Sequence, residues 1–424
     1  MKTTDELLQV TVRKLVEGGQ ALGDLPGGKK VFVWNALPGE VVQVRLFKQK
    51  HSYAEGIAEE IVKASPERTS PRDDHFLSTS PWQVLSFEAE NTYKKQIVAD
   101  IFQQAKVALP DFQLTTAGEQ YEYRNKTEYG FWGDEDGLHL ASYRRGSHGK
   151  QIVSGSALNM PGIDSAANAI CVQLEKLEVR AGDLKTIIVR SSQNHELVAS
   201  VYVKREDFPT IALPRELKGL RVYFSNPKSP ASVRTRLLQE EGDVLLRDTL
   251  LGKQFIYDVD SFFQVNLPVY EQALEQIKQR NGPADIVDMY AGAGTIGLSV
   301  ASGSVRLVEL DPSTAAMARQ NAAISGLDTE VIETSTEKAL EYITAAQPVI
   351  FDPPRAGLHD KVVERVLEAL PPQVTYLSCN PVTQARDLAR LLENYEIAYF
   401  EAFNFFPRTP HIETLAVLQR RGVK

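Results

Sequence analysis

The sequence predicts an α/β protein in which a small N-terminal β-barrel and a β-rich middle region precede a parallel sheet covered by helices. Short alternating strands occupy residues 7–64, strands and loops occupy most of 110–275, and β and α segments alternate from about residue 282 onwards. Apolar strands flanked by amphipathic helices are typical of a mostly parallel sheet that is covered on both faces. The last two strands have no helix between them, which predicts an antiparallel pair.

Composition narrows the class of protein. The chain has 424 residues, a length that predicts more than one domain. Of these residues, 43% are hydrophobic and 24% are charged. No window approaches the roughly 20 apolar residues of a membrane span, and the N-terminus does not resemble a signal peptide, so we expect a cytoplasmic protein that does not contact a membrane. The net charge of -8 argues against a uniformly basic surface but allows a local basic face for RNA.

The N-terminal segment, residues 1–64, has the evenly spaced short strands of a small barrel. Turns are predicted at Gly18-Gly19, at Pro26-Gly27-Gly28 and at Pro38-Gly39. Basic and aromatic side chains near the fourth strand could contact the phosphates and a base of RNA. They are equally typical of a solvated strand edge. They are Arg45, Lys48, Lys50 and Tyr53.

A polar linker and a helix over 87–106 open the predicted middle domain, residues 65–275. Its 137–153 segment carries basic side chains and no acid, which is compatible with an RNA-facing loop and equally with a solvated one. The predicted C-terminal α/β domain covers residues 276–424.

The strongest ligand signal is a glycine loop that follows an apolar strand and opens a helix. It runs Asp288-Met-Tyr290-Ala-Gly292-Ala-Gly294-Thr-Ile-Gly297. Glu309, about twenty residues further on, ends the next strand, where a carboxylate can hold ribose hydroxyls. This pair suits both S-adenosylmethionine and a nicotinamide dinucleotide.

A second motif, Phe351-Asp352-Pro353-Pro354-Arg355, ends a later strand of the same sheet. A carboxylate held by prolines at the carboxyl edge of the sheet points to methyl transfer. Arg355 follows where enzymes that methylate an exocyclic amine usually carry an aromatic residue. Methylation of an amino nitrogen is therefore disfavoured.

The two cysteines differ in their placement. Cys171 matches the pattern of a small buried hydrophobe, whereas Cys379 ends a strand on the edge that carries Asp352, just before a helix whose N-terminus favours a thiolate. Carbon 5 of uracil becomes nucleophilic when a thiolate adds at carbon 6. Glu413, at the start of the last strand, is the candidate base that then removes the carbon 5 proton.

Five ordered motifs resemble the RNA 5-methyluridine methyltransferase family over nearly the whole chain. They are Phe262-Phe263-Gln264-Val265-Asn266, the glycine loop, Asp352-Pro-Pro-Arg355, Leu377-Ser-Cys379-Asn-Pro381 and His411-Ile-Glu413-Thr414. The barrel is similar to the TRAM RNA-binding domain, and Arg124-Asn125-Lys126 is similar to a signature of the family's middle domain.

The resemblance implies S-adenosylmethionine as cofactor, a class I Rossmann-like catalytic domain and a role for each matched residue. Cys379 would be the nucleophile and Glu413 the base. Cofactor contacts would come from Gln264, Tyr290, Gly292, Gly294, Glu309 and Asp352. Arg124, Lys126 and Phe263 would lie near the RNA or its flipped base.

One stretch departs from the family pattern. Many relatives bind an iron-sulfur cluster through four cysteines, three of them just after the barrel, and DDHFLSTSPWQVLSFEAE has none. We therefore predict no iron-sulfur cluster and no metal. Analogy with barrel-bearing relatives favours 23S ribosomal RNA as the substrate, with the transfer-RNA T-loop uridine second, and we expect a monomer.

Three other interpretations stay open at this point. Methylation of RNA cytosine at carbon 5 also uses a thiolate, although a cysteine within or beside the proline motif is then typical. A nicotinamide oxidoreductase would use the glycine loop but leave Cys379 and Glu413 without a role. A non-catalytic RNA-binding protein would use only the barrel and the middle region.

Overall fold

Five N-terminal strands form a closed barrel in the computed structural model, which describes residues 7–230, 232–281 and 285–422. The strands are β1 (Leu8–Leu15), β2 (Ala21–Asp24), β3 (Lys30–Trp34), β4 (Val41–Gln49) and β5 (Tyr53–Lys63). Their order around the barrel is β1-β2-β3-β5-β4, and β4 pairs back onto β1. Alternate side chains such as Val10, Val33 and Val44 point inward and are buried, which explains the alternating pattern of the sequence.

The segment after the barrel contains α1 (Phe76–Thr79), α2 (Phe87–Gln104) and the short strand β6 (Leu114–Thr115). Ser86 caps α2, its side chain accepting a hydrogen bond from the Ala89 amide. The predicted helix over 87–106 is therefore present, with an end two residues earlier.

A seven-stranded sheet forms most of the middle of the chain, in the order β13-β12-β11-β10-β7-β8-β9. Its strands are β7 (Lys126–Asp134), β8 (Gly137–Tyr143), β9 (Lys150–Ile152), β10 (Leu184–Ser191), β11 (Leu197–Val203), β12 (Gly219–Phe224) and β13 (Arg236–Gly242). Helix α3 (Ile163–Lys176) covers one face with buried Ala167, Ile170 and Leu174. The sequence interpretation, which expected strands and loops here, missed this helix.

A hairpin links the middle of the chain to its C-terminal part. Strands β14 (Leu245–Leu250) and β15 (Lys253–Asp258) pair through a turn at Leu251-Gly252, whose two residues both have positive φ. Helix α4 (Leu267–Asn281) follows, so the domain boundary predicted between residues 275 and 276 falls inside a helix.

The C-terminal part is built on an eight-stranded sheet in the order β18-β17-β16-β19-β20-β22-β21-β6. The strands are β16 (Ile286–Met289), β17 (Val305–Glu309), β18 (Thr329–Glu333), β19 (Val349–Phe351), β20 (Gln373–Ser378), β21 (Tyr395–Phe403) and β22 (Glu413–Arg420). Its helices are α5 (Thr295–Val300), α6 (Pro312–Ser325), α7 (Asp360–Ala369) and α8 (Pro381–Leu391). Strands β16 to β20 are parallel, and β22 is antiparallel to β20 and β21, as predicted.

Two details of this sheet differ from the sequence interpretation. The 336–345 segment, expected to be a helix, forms short 3-10 turns at Thr336–Lys338 and Leu340–Tyr342, because Ala339 between them leaves the helical region at φ -115°. The edge strand β6 comes from far upstream and pairs with Ala402 and Phe403. Across the described residues, no helix is long and apolar enough to cross a membrane.

Candidate active site

A cleft of about 920 Å³ opens at the carboxyl ends of β16, β17, β19 and β20. Ligands of open α/β sheets bind at this edge, and the volume is within the range of about 300–1,000 Å³ that is usual for small-molecule sites. The sequence-predicted residues that line it are Arg124, Phe263, Gln264, Tyr290, Gly292, Glu309, Asp352, Cys379 and Glu413. The fold therefore brings residues from four of the strand ends and from the middle of the chain to one cleft.

The glycine loop needs a left-handed backbone at three positions. Tyr290, Gly292 and Gly294 have φ of +67°, +57° and +82°. A Cβ on Gly294 would lie 2.8 Å from Leu307 Cδ1, so this glycine allows close packing of the loop on β17. Gly294 is not among the residues that line the cleft. A glycine is needed at this position for packing against β17.

Glu309 holds the loop from the end of β17. Its Oε2 accepts a hydrogen bond from the Gly292 amide (2.9 Å), and its Oε1 accepts one from the Asp311 amide (2.7 Å). A Cβ on Gly292 would meet only Phe262 Cδ1, at 3.9 Å, so the backbone here is open to a ligand. A close backbone approach beside a strand-end carboxylate fits a nucleoside cofactor such as S-adenosylmethionine.

Cys379 directly follows β20 and precedes α8. The Asn380 side chain caps α8 through the Val382 amide and donates a hydrogen bond from Nδ2 to the Arg355 carbonyl (2.9 Å), which ties the cysteine loop to the proline motif. Burial, with the nearby charges of Glu413 and Asp352, raises the pKa of the Cys379 thiol to about 12. Burial and these charges raise the pKa of the thiol by more than the N-terminus of α8, which the sequence predicts to favour the thiolate, lowers it.

The two carboxyl groups beside Cys379 also have shifted proton affinities. Burial raises the pKa of Asp352 to about 7. Burial, followed by the charge of Asp352, raises the pKa of Glu413 well above its ordinary value, and Arg355 opposes this shift. A carboxylate with a high proton affinity has the property required of a general base.

The three predicted RNA-contacting residues have different surroundings. Arg124 lines the cleft and donates a hydrogen bond from Nε to the Lys126 carbonyl (3.0 Å), whereas Lys126 is not among the lining residues. Burial and the neighbouring Arg190 lower the pKa of Lys126 to about 8. Phe263 is buried against Tyr257, with ring centroids 3.9 Å apart.

Several residues that line the cleft were not singled out from the sequence. Phe262, 63% exposed, offers an open aromatic ring beside the buried Phe263. Others include Thr336, Glu337, Phe406 and Thr409. His411 also lines the cleft and, like Phe262, belongs to a recognised motif without having been given a role. Phe262 lies inside a motif that was recognised, but the linear motif does not distinguish which of two adjacent rings is exposed. Thr336, Glu337, Phe406 and Thr409 come from short turns whose sequences carry no recognisable motif.

Cys171 lies outside the cleft, on α3. It is buried, its Sγ is 3.3 Å from the Leu138 carbonyl, and burial raises the pKa of its thiol to about 11. Within the described part of the chain, no cluster of three or more His, Cys, Asp or Glu side chains could hold a metal ion.

The fold and the cleft define an S-adenosylmethionine-dependent RNA methyltransferase. Residues 86–421 match the family model described as tRNA (uracil-5-)-methyltransferase, and residues 3–58 match the TRAM domain. The chain belongs to this uracil-5-methyltransferase family, so the nicotinamide, cytosine and non-catalytic interpretations are set aside.

The chain is similar over nearly its whole length to other RNA methyltransferases and, in fold, to a solved structure. An RNA methyltransferase of Lactiplantibacillus plantarum, described as uncharacterized, is 30% identical over 98% of this chain and 97% of its own length. One of Thermotoga maritima, with the same description, is 26% identical over 97% of this chain and 99% of its own. The Pyrococcus abyssi tRNA (uracil-54, C5)-methyltransferase, solved with S-adenosyl-L-homocysteine, aligns with a TM-score of 0.78 at 22% identity over 97% of this chain and 100% of its own. At that identity the similarity shows a shared fold.

Proposed function

We propose that this enzyme methylates carbon 5 of a specific uridine in structured RNA through a covalent bond between Cys379 Sγ and carbon 6. The observation that carries the proposal is that Cys379, Glu413 and Asp352 line the same cleft as the glycine loop. A nucleophile and a base are then available in the cleft that contains the cofactor loop.

The covalent step follows from the chemistry of the pyrimidine. The Cys379 thiol gives its proton to solvent and Sγ bonds to carbon 6, so the electron pair of the C5=C6 double bond moves onto carbon 5. S-adenosylmethionine, when bound, supplies the methyl group that carbon 5 takes. Glu413 then removes the carbon 5 proton, and the electron pair of that C–H bond restores the ring double bond as the Sγ–C6 bond breaks.

The protonation states of the free enzyme suit this order of events. With its pKa at about 12, Cys379 is a thiol at neutral pH, and the charge of Arg355 opposes that shift. Arg355 therefore favours the thiolate once the uridine is bound. A thiol that is deprotonated only in the substrate complex is protected from oxidation in the free enzyme.

The cofactor is assigned to residues around the glycine loop. The cleft is lined by Gln264, Tyr290, Glu309 and Asp352 together with Gly292. Glu309 is suited to the ribose hydroxyls, because its carboxylate ends β17 beside the loop. Arg124 and the exposed ring of Phe262 are suited to a flipped base.

Substitution of Cys379 tests the covalent mechanism. RNA containing 5-fluorouridine traps the adduct, since fluorine at carbon 5 cannot leave as a proton. Wild-type enzyme with S-adenosylmethionine should give a protein–RNA band that survives denaturing electrophoresis, and Cys379→Ala should give neither band nor methylated product. Cys171→Ala is the matched control and should behave as wild type, because its thiol lies outside the cleft.

Methyl transfer by Cys379→Ala at the wild-type rate would overturn the covalent mechanism. Loss of the trapped adduct in Cys171→Ala as well would show that the assay reports folding rather than nucleophilic attack.

For the RNA itself we propose 23S ribosomal RNA, acted on in the cytoplasm by a monomer. The transfer-RNA T-loop uridine is the second candidate, because the family description and the Pyrococcus abyssi enzyme both name tRNA. Mass spectrometric mapping of 5-methyluridine in both RNAs, from cells with and without the gene, distinguishes them. Loss of a ribosomal site supports the proposal, and loss of the T-loop site alone overturns it.

A further inference from the structure

The loop that precedes Glu413 forms one wall of the cleft. It covers residues 404–412, connects β21 to β22 and carries Phe406, Thr409 and His411 on the cleft surface. The position of the proposed base therefore depends on what holds this loop, which we call the base loop.

The barrel contacts the base loop directly through the turn between β1 and β2. Gly19 in that turn has φ of +93°, and a Cβ added to it would lie 2.4 Å from Pro410 Cβ. Trp82 joins the same two elements, since its Nε1 donates to the Gly19 carbonyl (3.0 Å) and its amide donates to the Arg408 carbonyl (3.1 Å). Trp82 is buried, so both bonds are shielded from water.

Helix α2 holds the other side of the base loop through a buried polar network. Glu90 accepts hydrogen bonds from the Arg408 amide (3.0 Å) and from Asn404 Nδ2 (2.9 Å), and Lys94 Nζ donates to Asn404 Oδ1 (2.7 Å). Arg408 itself has φ of +66°, a left-handed conformation that is unfavourable for a non-glycine residue. The surrounding contacts thus determine the path of the base loop against its local preference.

The same turn of the barrel comes close to the nucleophile. Glu17 lines a small cavity of about 190 Å³ together with Cys379, Pro410 and His411. Pro410 therefore lies against the barrel turn and lines the same cavity as Cys379.

We propose that the β1–β2 turn, through Gly19, Trp82 and Pro410, positions the base loop and with it His411 and Glu413. The barrel then contributes to the rate of the chemical step as well as to RNA binding. This inference rests on the proposed function, because it assigns Glu413 as the base. Gly19, Trp82 and Pro410 are positioning residues, since they act through the loop and not on the RNA.

Two adjacent glycines allow a matched test. Gly18 has φ of +83° with nothing within 4 Å of an added Cβ, so Gly18→Ala introduces the same backbone strain as Gly19→Ala without the collision with Pro410. Single-turnover methylation of saturating RNA should be near wild type for Gly18→Ala. For Gly19→Ala it should fall between about tenfold and a hundredfold at little change in KM, as expected for a shift of the base by about 1 Å.

A rescue variant separates positioning from general damage. Pro410→Gly removes the atoms that the new methyl would strike, so the double variant Gly19→Ala/Pro410→Gly should regain rate relative to Gly19→Ala. If Gly19→Ala does not fold, Trp82→Phe, which lacks the donor to the Gly19 carbonyl, should lower the same single-turnover rate with KM unchanged.

Three results would overturn the positioning role. They are an increase in KM at constant single-turnover rate, equal losses in Gly18→Ala and Gly19→Ala, and absence of rescue in the double variant. Failure of the wild type to methylate any RNA would instead remove the proposed function on which the inference rests.

Discussion

Three buried carboxyl groups set the electrostatics at the carboxyl edge of the eight-stranded sheet. Burial raises the pKa of Asp288 from 3.8 to about 8, that of Asp352 to about 7, and that of Glu413 well above its ordinary value. Asp288 therefore holds its proton at neutral pH, although an aspartic acid is normally ionised there. Substitution by the corresponding amide tests each group, because it removes the ionisable proton while the size and shape of the side chain are kept.

Glu413→Gln should stop the reaction after methyl transfer. An amide cannot take the carbon 5 proton, so the methylated RNA should accumulate as a covalent complex with Cys379, and turnover should fall by about 10²–10⁴-fold. Denaturing electrophoresis with ordinary uridine RNA and labelled S-adenosylmethionine measures the complex.

Glu401→Gln is the control for that experiment, because Glu401 is also buried on the same sheet but does not line the cleft. Its turnover should be close to wild type. Release of methylated RNA by Glu413→Gln at the wild-type rate would exclude Glu413 as the base.

Asp288→Asn should make stability less dependent on pH. An acid whose pKa is raised on folding binds its proton more tightly in the folded state, so its contribution is full below 3.8 and is lost as pH rises towards about 8. The free energy of unfolding by urea should therefore fall less between pH 5 and pH 8 in the variant than in wild type. Asp285→Asn, at an exposed position before β16, should leave the wild-type slope, and an identical slope in Asp288→Asn would contradict the raised pKa.

At the scale of elements, two glycines in the turn between β16 and α5 have different roles, one in packing and one in cofactor binding. Gly294→Ala should cost about 1–3 kcal/mol more stability than Gly292→Ala, because only at 294 does the new methyl collide with the core, at Leu307 Cδ1. Gly292→Ala should instead weaken cofactor binding, since its methyl projects into the cleft. Urea unfolding and calorimetric titration with S-adenosylhomocysteine measure the two effects, and equal stability losses would contradict the assignment.

Elements differ in how well their sequences predict them. The glycine loop and α8 have local signals, namely glycines where φ must be positive and a capping asparagine before proline. Helix α3 and the 3-10 turns after Ser335 lack comparable signals. Whether these segments form a helix or short turns depends on the packing of their apolar residues against the seven-stranded sheet or against α7. That packing is a property of the tertiary fold.

At the scale of the whole molecule, a buried ion pair joins the barrel to the rest of the chain. Glu40, fully buried after β3, accepts hydrogen bonds from Arg68 Nε (2.6 Å), the Leu37 amide (2.8 Å) and the Ser65 amide (3.1 Å). Arg68 lies in the linker that leads to α2. The contact therefore fixes the direction in which the chain leaves the barrel.

Glu40→Ala should destabilise the protein by about 3 kcal/mol, because it removes the carboxylate from the largely covered guanidinium of Arg68 and leaves it only the Asn35 oxygens. Glu59→Ala, which breaks the exposed pair with Arg45 (2.7 Å), should cost at most about 1 kcal/mol. Urea unfolding of both variants measures the difference. Similar losses in the two would mean that the Glu40 pair is no stronger than a surface pair.

The sequence by itself determined the class of the fold, the order of its three parts and the family, because these depend on periodicity and on motifs within a few residues. The tertiary structure alone decided that Gly19 contacts Pro410, that Glu90 holds Arg408, and that Cys379 is surrounded by two acids. Those partners are distant in sequence. Their effects depend on a shared interior of low dielectric, which exists only once the chain has folded.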